Sequence, residues 1–240
     1  MMRLDKLLAH AGYGTRKEVK QLIKEKRVRV NDSDMVLDKT QVDEFHDEIT
    51  VDGIPLTYEK YHFIMLNKPQ GVVSAKSDSR YPTVMDCIDV PLAIDMFPIG
   101  RLDLDTEGLI LIANDGKLAH YLLSPRHHVP KCYEVHLAQP IGEDQLATLK
   151  QGVQLQDVMT KPAQVRVISD THIELTITEG KYHQVKRMMQ AVGNEVIGLK
   201  RLSFGSIVLD ENLASGAWRY LTETEVNALY DLKNKQGERL

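Results

Sequence analysis

The sequence predicts an α+β fold in two parts: a small mixed αβ module over residues 1–58, then a larger domain over residues 59–240 built on a mostly antiparallel mixed sheet with flanking helices. Three observations carry that reading. Tyr133, Val135 and Leu137 alternate with Glu134 and His136, and Ile173, Leu175 and Ile177 alternate with Glu174, Thr176 and Thr178, which is the period-two pattern of half-buried strands. A helical stripe such as Val185, Met188, Met189, Val192 follows such a run, and strands that bury one face among interspersed helices favour antiparallel sheet. Charge is also partitioned: behind a net charge of −4, residues 1–30 hold nine Lys/Arg against three acids, and residues 31–60 hold nine acids against two lysines.

In chain order, Leu4, Leu7 and Leu8 mark a first helix stopped by Gly12-Tyr13-Gly14. Thr15 with Glu18 three residues on forms a capping box that starts a second helix. Its inward stripe is Val19, Leu22 and Ile23, which leaves Arg16, Lys20 and Lys24 together on the outer face. Val28–Asn31, Glu48–Val51 and the Asp52-Gly53 turn read as short strands that close the module, with a boundary in Thr57-Tyr58-Glu59-Lys60. Phe63–Leu66 is a buried strand run ended by Lys68-Pro69-Gln70-Gly71, and Gly108–Ala113 is another, stopped by Asn114-Asp115-Gly116. Leu118, Tyr121 and Leu122 have helical spacing, Leu146 and Leu149 suggest a helix, and Val165 and Val167 a strand.

Composition excludes several classes. Apolar residues at 42% and charged residues at 27% are ordinary for a globular chain, and no apolar run approaches the roughly 18 residues of a membrane span. The start, Met1-Met2-Arg3-Leu4-Asp5-Lys6, lacks the apolar core of a signal peptide. Cys87 and Cys132 are too few for a disulfide framework or a thiolate zinc site, which fits a reducing cytoplasm, and adjacent His127 and His128 are poorly spaced for a helical metal pair. No metal site, no membrane contact and a monomer are the expectations. The basic N-terminal face points to a polyanion, because phosphate contacts depend on local field and not on overall charge.

Three segments could carry chemistry. In Gly100-Arg101-Leu102-Asp103-Leu104-Asp105-Thr106-Glu107-Gly108, an extended backbone would put Arg101, Asp103 and Asp105 on one face, so that a cation flanks a carboxylate and keeps it ionised. The same spacing also suits a surface charge cluster or a structural turn. Glu179-Gly180-Lys181-Tyr182-His183-Gln184-Val185-Lys186-Arg187-Met188 opens a basic amphipathic helix at a glycine. Tyr133, within Lys131-Cys132-Tyr133, could equally be a core aromatic.

Taken in order, Lys68-Pro69-Gln70-Gly71, Gly100–Leu109, Ser124-Pro125-Arg126-His127-His128, Lys131-Cys132-Tyr133 and Glu179–Met188 resemble the signature of the RsuA-type rRNA pseudouridine synthases. The N-terminal helices and the strand Val28-Arg29-Val30-Asn31 resemble the S4 RNA-binding domain. The resemblance covers nearly the whole chain. Thr160-Lys161-Pro162-Ala163 and the stretch 216–222 are most similar to the branch that modifies small-subunit (16S) RNA, which implies uridine 516 as target.

The resemblance implies the pseudouridine synthase fold and isomerisation of uridine, with no metal, redox partner or nucleotide cofactor. The partner it implies is ribosomal RNA or a small-subunit assembly intermediate. It makes Asp103 the catalytic aspartate, Tyr133 the active-site tyrosine against the flipped base, and Lys186 the cation that pairs with the aspartate. Arg101 would hold phosphate or the flipped-out nucleotide. Arg3, Lys6, Arg16, Lys17, Lys20, Lys24, Arg126 and Arg187 would contact RNA. Alternatives of other kinds are a synthase acting on large-subunit RNA, a ribosome-assembly factor without catalysis, and a glycoside hydrolase using Asp103 and Asp105. The last needs carboxylates about 5–9.5 Å apart across a sugar, usually from different elements.

Overall fold

The structure, a computed structural model, describes residues 1–44, 46–56, 58–90 and 95–237. Thr57, within the expected boundary stretch, lies outside the described residues. The chain divides into two compact units, Met1–His62 with Ile88–Met96, and Phe63–Cys87 with Phe97–Leu240.

In the first unit β1 (Met2–Arg3) leads into α1 (Leu4–His10), and α2 (Arg16–Lys24) follows. The capping box is present: the Thr15 N–H donates to Glu18 Oε2 at 2.7 Å, and Thr15 Oγ1 accepts from the Glu18 N–H at 3.4 Å. β2 (Val28–Val30), β4 (Ile49–Val51) and β5 (Ile54–Pro55) form an antiparallel sheet, while β3 (Gln41–Val42) pairs with β1. Asp52 and Gly53 both have positive φ, the hairpin turn that their dipeptide predicts. Leu4, Leu7, Leu8, Val19, Ile23, Val28 and Val51 form the core, so the apolar stripes of both helices are buried. Arg16, Lys20 and Lys24 are exposed.

In the second unit β6 (Phe63–Lys68), β7 (Phe97–Ile99) and β8 (Glu107–Ala113) precede α3 (Gly116–Leu123), which Asp115 caps. β9 (Lys131–Leu137), α4 (Glu143–Gln151), β10 (Gln164–Ser169), β11 (His172–Ile177) and α5 (Gln184–Ala191) follow. β12 (Val196–Phe204), β13 (Ile207–Val208), β14 (Trp218–Tyr220) and α6 (Glu223–Gly237) complete it. Among the described residues nine strands form one sheet with the central order β10-β11-β9-β12-β8-β6-β14, in which only β12 and β8 pair in parallel. The mostly antiparallel mixed sheet is therefore present. Met65, Leu109 and Leu111 pack with Leu118 and Leu122 of α3 and Leu229 of α6 in the core. Among the described residues no helix is long and apolar enough to cross a membrane.

β12 is the strand that the sequence pattern hides. Lys200 and Arg201 interrupt its apolar run, yet Leu199, Arg201 and Phe204 are its buried positions. Its close approach to β8 depends on Gly108, whose φ is +98°; a Cβ there would stand 2.3 Å from the Arg201 carbonyl oxygen and 2.7 Å from the Arg201 nitrogen.

Candidate active site

The segment 100–106 joins β7 to β8 and is a pinned loop with a turn at Leu104-Asp105, not an extended strand. The Thr106 N–H donates to the Asp103 carbonyl at 3.1 Å, which closes the turn. Leu102 is buried and exchanges two 2.9 Å hydrogen bonds with the Ser74 hydroxyl, one donated by its N–H and one accepted by its carbonyl. Beneath the turn lies Lys68, fully buried, whose Nζ donates to the carbonyls of Pro69 (3.0 Å), Leu104 (3.5 Å) and Thr106 (2.8 Å). Burial lowers its ammonium to about 8. Three carbonyls are thus tied to one cation, which fixes the backbone after Asp103, while the Ser74 contacts to Leu102 fix it before.

Helix α5 brings two side chains to that loop. Lys186 Nζ stands 2.5 Å from Asp105 Oδ1 and 3.4 Å from Asp103 Oδ2, and His183 Nε2 lies 3.4 Å from Asp103 Oδ1. The turn carries Asp105 round so that both carboxylates meet one lysine, although the extended geometry considered for them is absent. The Lys186 ammonium holds the Asp105 carboxyl below its usual range. Ion pairs this exposed contribute about 1 kcal/mol or less to stability, so their effect here is orientation. His183 precedes the helix with φ +46°, and its ring stacks on the exposed Tyr182 at 3.8 Å.

Asp103 opens onto a cavity of about 630 Å³ that Arg101, Tyr133, Glu179, Lys131 and Arg201 also line. That size falls in the ordinary range of small-molecule sites. Tyr133 is buried on β9, opposite Leu175 of β11 and Arg201 of β12. The Lys161 N–H, the Lys181 ammonium and the Gln184 amide engage Glu179; burial pushes its carboxyl up, and these contacts outweigh burial and hold it below its usual range.

The expected residues are thus brought together unequally. Asp103, Tyr133 and Arg101 share the cavity, and Lys186 reaches Asp103. Arg126 is exposed on the short turn Pro125–His127, of which Pro125 lines the cavity. Arg187 is turned to Asp157 in an ion pair. In the first unit Arg3 pairs with Asp5 and Asp38, and Lys20 with Asp38 at 3.1 Å, so part of the charge asymmetry closes on itself. Lys6 is half-buried, whereas Arg16, Lys17 and Lys24 are exposed and make no ion pair among the described residues.

The sequence assigns no role to Lys68, Lys131 and His183, which stand within its motifs, and does not single out Ser74 or Arg201. Arg201 had a signal: it stands two residues after buried Leu199, a cation in the inward phase of an alternating strand. Outside the cavity, Glu134 approaches His172 at 3.0 Å and His136 at 3.7 Å, and the two imidazoles stack at 4.4 Å. These three could hold a metal ion, with Glu134 and His136 two apart on β9 and His172 brought to them only by the pairing of β11 with β9.

A pinned aspartate held beside a lysine, lining a partly open cavity on a mixed sheet, is an arrangement suited to chemistry on a small polar group. The family model for RNA pseudouridylate synthase matches residues 62–191, and that for the S4 domain residues 2–33. An uncharacterised RNA pseudouridine synthase of Bacillus subtilis (strain 168) is 50% identical over 234 residues, spanning 95% of this chain and 98% of its own length. The ribosomal small subunit pseudouridine synthase A of Haemophilus influenzae is 42% identical over 231 residues, 95% and 99% of the two chains. A solved pseudouridylate synthase crystal structure superposes with a TM-score of 0.68 at 41% identity, covering 95% of this chain and all of the other. This chain belongs to the RNA pseudouridylate synthase family and carries an S4 domain.

Proposed function

We propose that this chain isomerises one uridine of small-subunit (16S) ribosomal RNA to pseudouridine, at uridine 516, acting on the RNA or on an assembly intermediate as a cytoplasmic monomer. Residues 1–58 serve as the RNA-anchoring module and residues 59–240 as the catalytic domain. The observation that carries the reading is Asp103, fixed by the Lys68 and Ser74 contacts and flanked by Lys186 and His183, at a cavity that Tyr133 lines.

A stacked uridine cannot offer its C1′ to a carboxylate, so the nucleotide swings out into the cavity at a cost of a few kcal/mol, which RNA contacts offset. Asp103 then acts on the ribose, as nucleophile at C1′ or as base toward a glycal. The freed ring turns, and C5 bonds to C1′. Tyr133 packs against the base and takes part in removing the C5 proton, and Lys186 keeps the Asp103 carboxylate aimed. Arg101, Arg126 and Arg187 contact the RNA around the flipped nucleotide.

The test uses RNA tritiated at uracil C5, since bonding C5 to C1′ releases that label. Small-subunit RNA or its assembly intermediate is expected to release one equivalent per chain of RNA, and large-subunit RNA none. Release from large-subunit RNA alone would contradict the choice of substrate, and release from neither would contradict the reaction. Lys186→Met is expected to slow single-turnover conversion about 100-fold, in the range for removing one aligned charged group, with RNA affinity within about threefold of wild type.

Affinity for RNA is expected to fall with salt. Reversing Arg16, Lys17 and Lys24 to glutamate should weaken binding at least about tenfold and lower the slope of log K against log[salt] by about 2, while turnover on saturating RNA persists. Filter binding across a salt series reads both, and an unchanged slope would remove the module's assigned role. Lys20, already paired with Asp38, should contribute less than any of these three.

A further inference from the structure

The inner wall of the cavity holds two buried cations that face no acid. β9 and β12 pair so that Lys131 lies opposite Phe204, and Tyr133 opposite Arg201, and all four side chains line the cavity. Lys131 is 9% exposed and Arg201 2%. Lys131 Nζ donates to the Val129 carbonyl at 2.9 Å, and Arg201 Nε to the Leu109 carbonyl at 2.7 Å. Arg201 Nη2 is buried with no hydrogen-bond partner among the described residues. Both cations stand 5.2 Å from the centre of the Phe204 ring, and neither forms an ion pair among the described residues. The carboxylates that share the cavity are engaged elsewhere, Glu179 by Lys181 and Gln184, Asp103 by Lys186 and His183.

Burying a cation without a counter-charge costs several kcal/mol, and two close together cost more through mutual repulsion. Such a wall is stabilised when negative charge develops beside it. The N1–C1′ cleavage of the reaction proposed above supplies that charge, because heterolysis leaves the bonding pair on the ring. The result is a uracil monoanion whose charge is shared by N1, O2 and O4.

We propose that Lys131 and Arg201 hold the detached uracil as its anion while it turns. The inference rests on the assigned reaction occurring in this cavity. In that reaction C1′ bonds to the Asp103 carboxylate, or the C2′ proton passes to it and a glycal forms. The ring rotates, C5 supplies the electron pair for the new bond to C1′, the C5 proton leaves, and N1 gains a proton. The product is an isomer of the substrate, with no net change in electrons. A turning ring presents N1, O2 and O4 to the wall in succession. The Lys131 ammonium has little directional preference and can follow that motion, while the Arg201 guanidinium, anchored through Nε, supplies fixed positive charge beside it.

The test is a leaving-group comparison in the full-length enzyme. RNA carrying uridine, or 5-fluorouridine at the same position, is assayed for single-turnover loss of the starting nucleoside. Fluorine stabilises the ring anion and so lessens the need for protein cations. Lys131→Met is expected to be about 100-fold slower on uridine but only about tenfold slower on 5-fluorouridine, with RNA affinity within threefold of wild type, and Lys131→Arg should recover most of the rate. Arg201→Lys undergoes the same comparison and carries the test if Lys131→Met fails to fold. Equal deficits on both substrates would assign a structural role and overturn the proposal. So would an unchanged rate, or a loss confined to RNA affinity, which would mark a phosphate site. Wild-type enzyme that consumes neither nucleoside would overturn the assigned reaction itself.

Discussion

Asp103→Asn should form no measurable pseudouridine on any RNA that the wild type modifies, a loss of at least about 10⁴-fold in single-turnover rate, because the amide can neither attack C1′ nor take a sugar proton. The substitution is nearly isosteric, and the loop is held by Lys68 and Ser74 through backbone atoms that it leaves untouched. Lys186 keeps Asp105 as its nearer partner. RNA affinity should therefore change less than about threefold, and thermal stability by less than about 1 kcal/mol. Tritium release and filter binding on the same preparation separate the two effects. A variant that retains turnover would exclude Asp103 as the group acting on the ribose, and a parallel loss of binding and turnover would recast it as an RNA contact.

Gly108→Ala should be the most damaging single-methyl change in the second unit. Its positive φ costs an L-residue about 1–3 kcal/mol, and the added carbon would overlap the Arg201 backbone oxygen and nitrogen, which belong to a paired strand and cannot swing aside. A total of about 4 kcal/mol or more would be a large share of a domain's usual 5–15 kcal/mol. Denaturant unfolding should show that loss. The residual folded protein should also lose rate, since β12 carries Arg201 and adjoins β9, which carries Tyr133 and Lys131. A glycine-to-alanine change at Gly53, where a Cβ meets nothing within 4 Å, is the control and should cost only its conformational strain.

Much of this architecture is legible in the chain because its signals are local. The Thr15–Glu18 capping box, the alternation at Ile173, Leu175 and Ile177, and the stripe at Val185, Met188 and Met189 each specify an element through side-chain period alone, and each is found where the period places it. β12 is not legible in that way. Its apolar run is broken by Lys200 and Arg201, and a cation reads as solvent-facing until the partner carbonyl of Leu109, 92 residues away, is known. The site divides along the same line. Asp103, Tyr133 and Lys186 stand out as motif residues, whereas Lys68 sits where Pro69 and Gly71 signal only a loop, and its contacts are with backbone across the sheet. By composition the acid-rich stretch after residue 30 stands apart from the basic one. Asp38 and Asp52 instead fold back onto Arg3, Lys20 and Arg27, which leaves a narrower basic face than the sequence count suggests.

The account is tested most directly by mapping pseudouridine across the ribosomal RNA of cells that carry the wild-type chain, lack it, or carry Asp103→Asn, with chemistry that marks the base because the isomer has unchanged mass. The expected map shows one small-subunit position marked with the wild type and unmarked in the other two strains, all other positions being alike. Identical maps in the three strains would contradict the account.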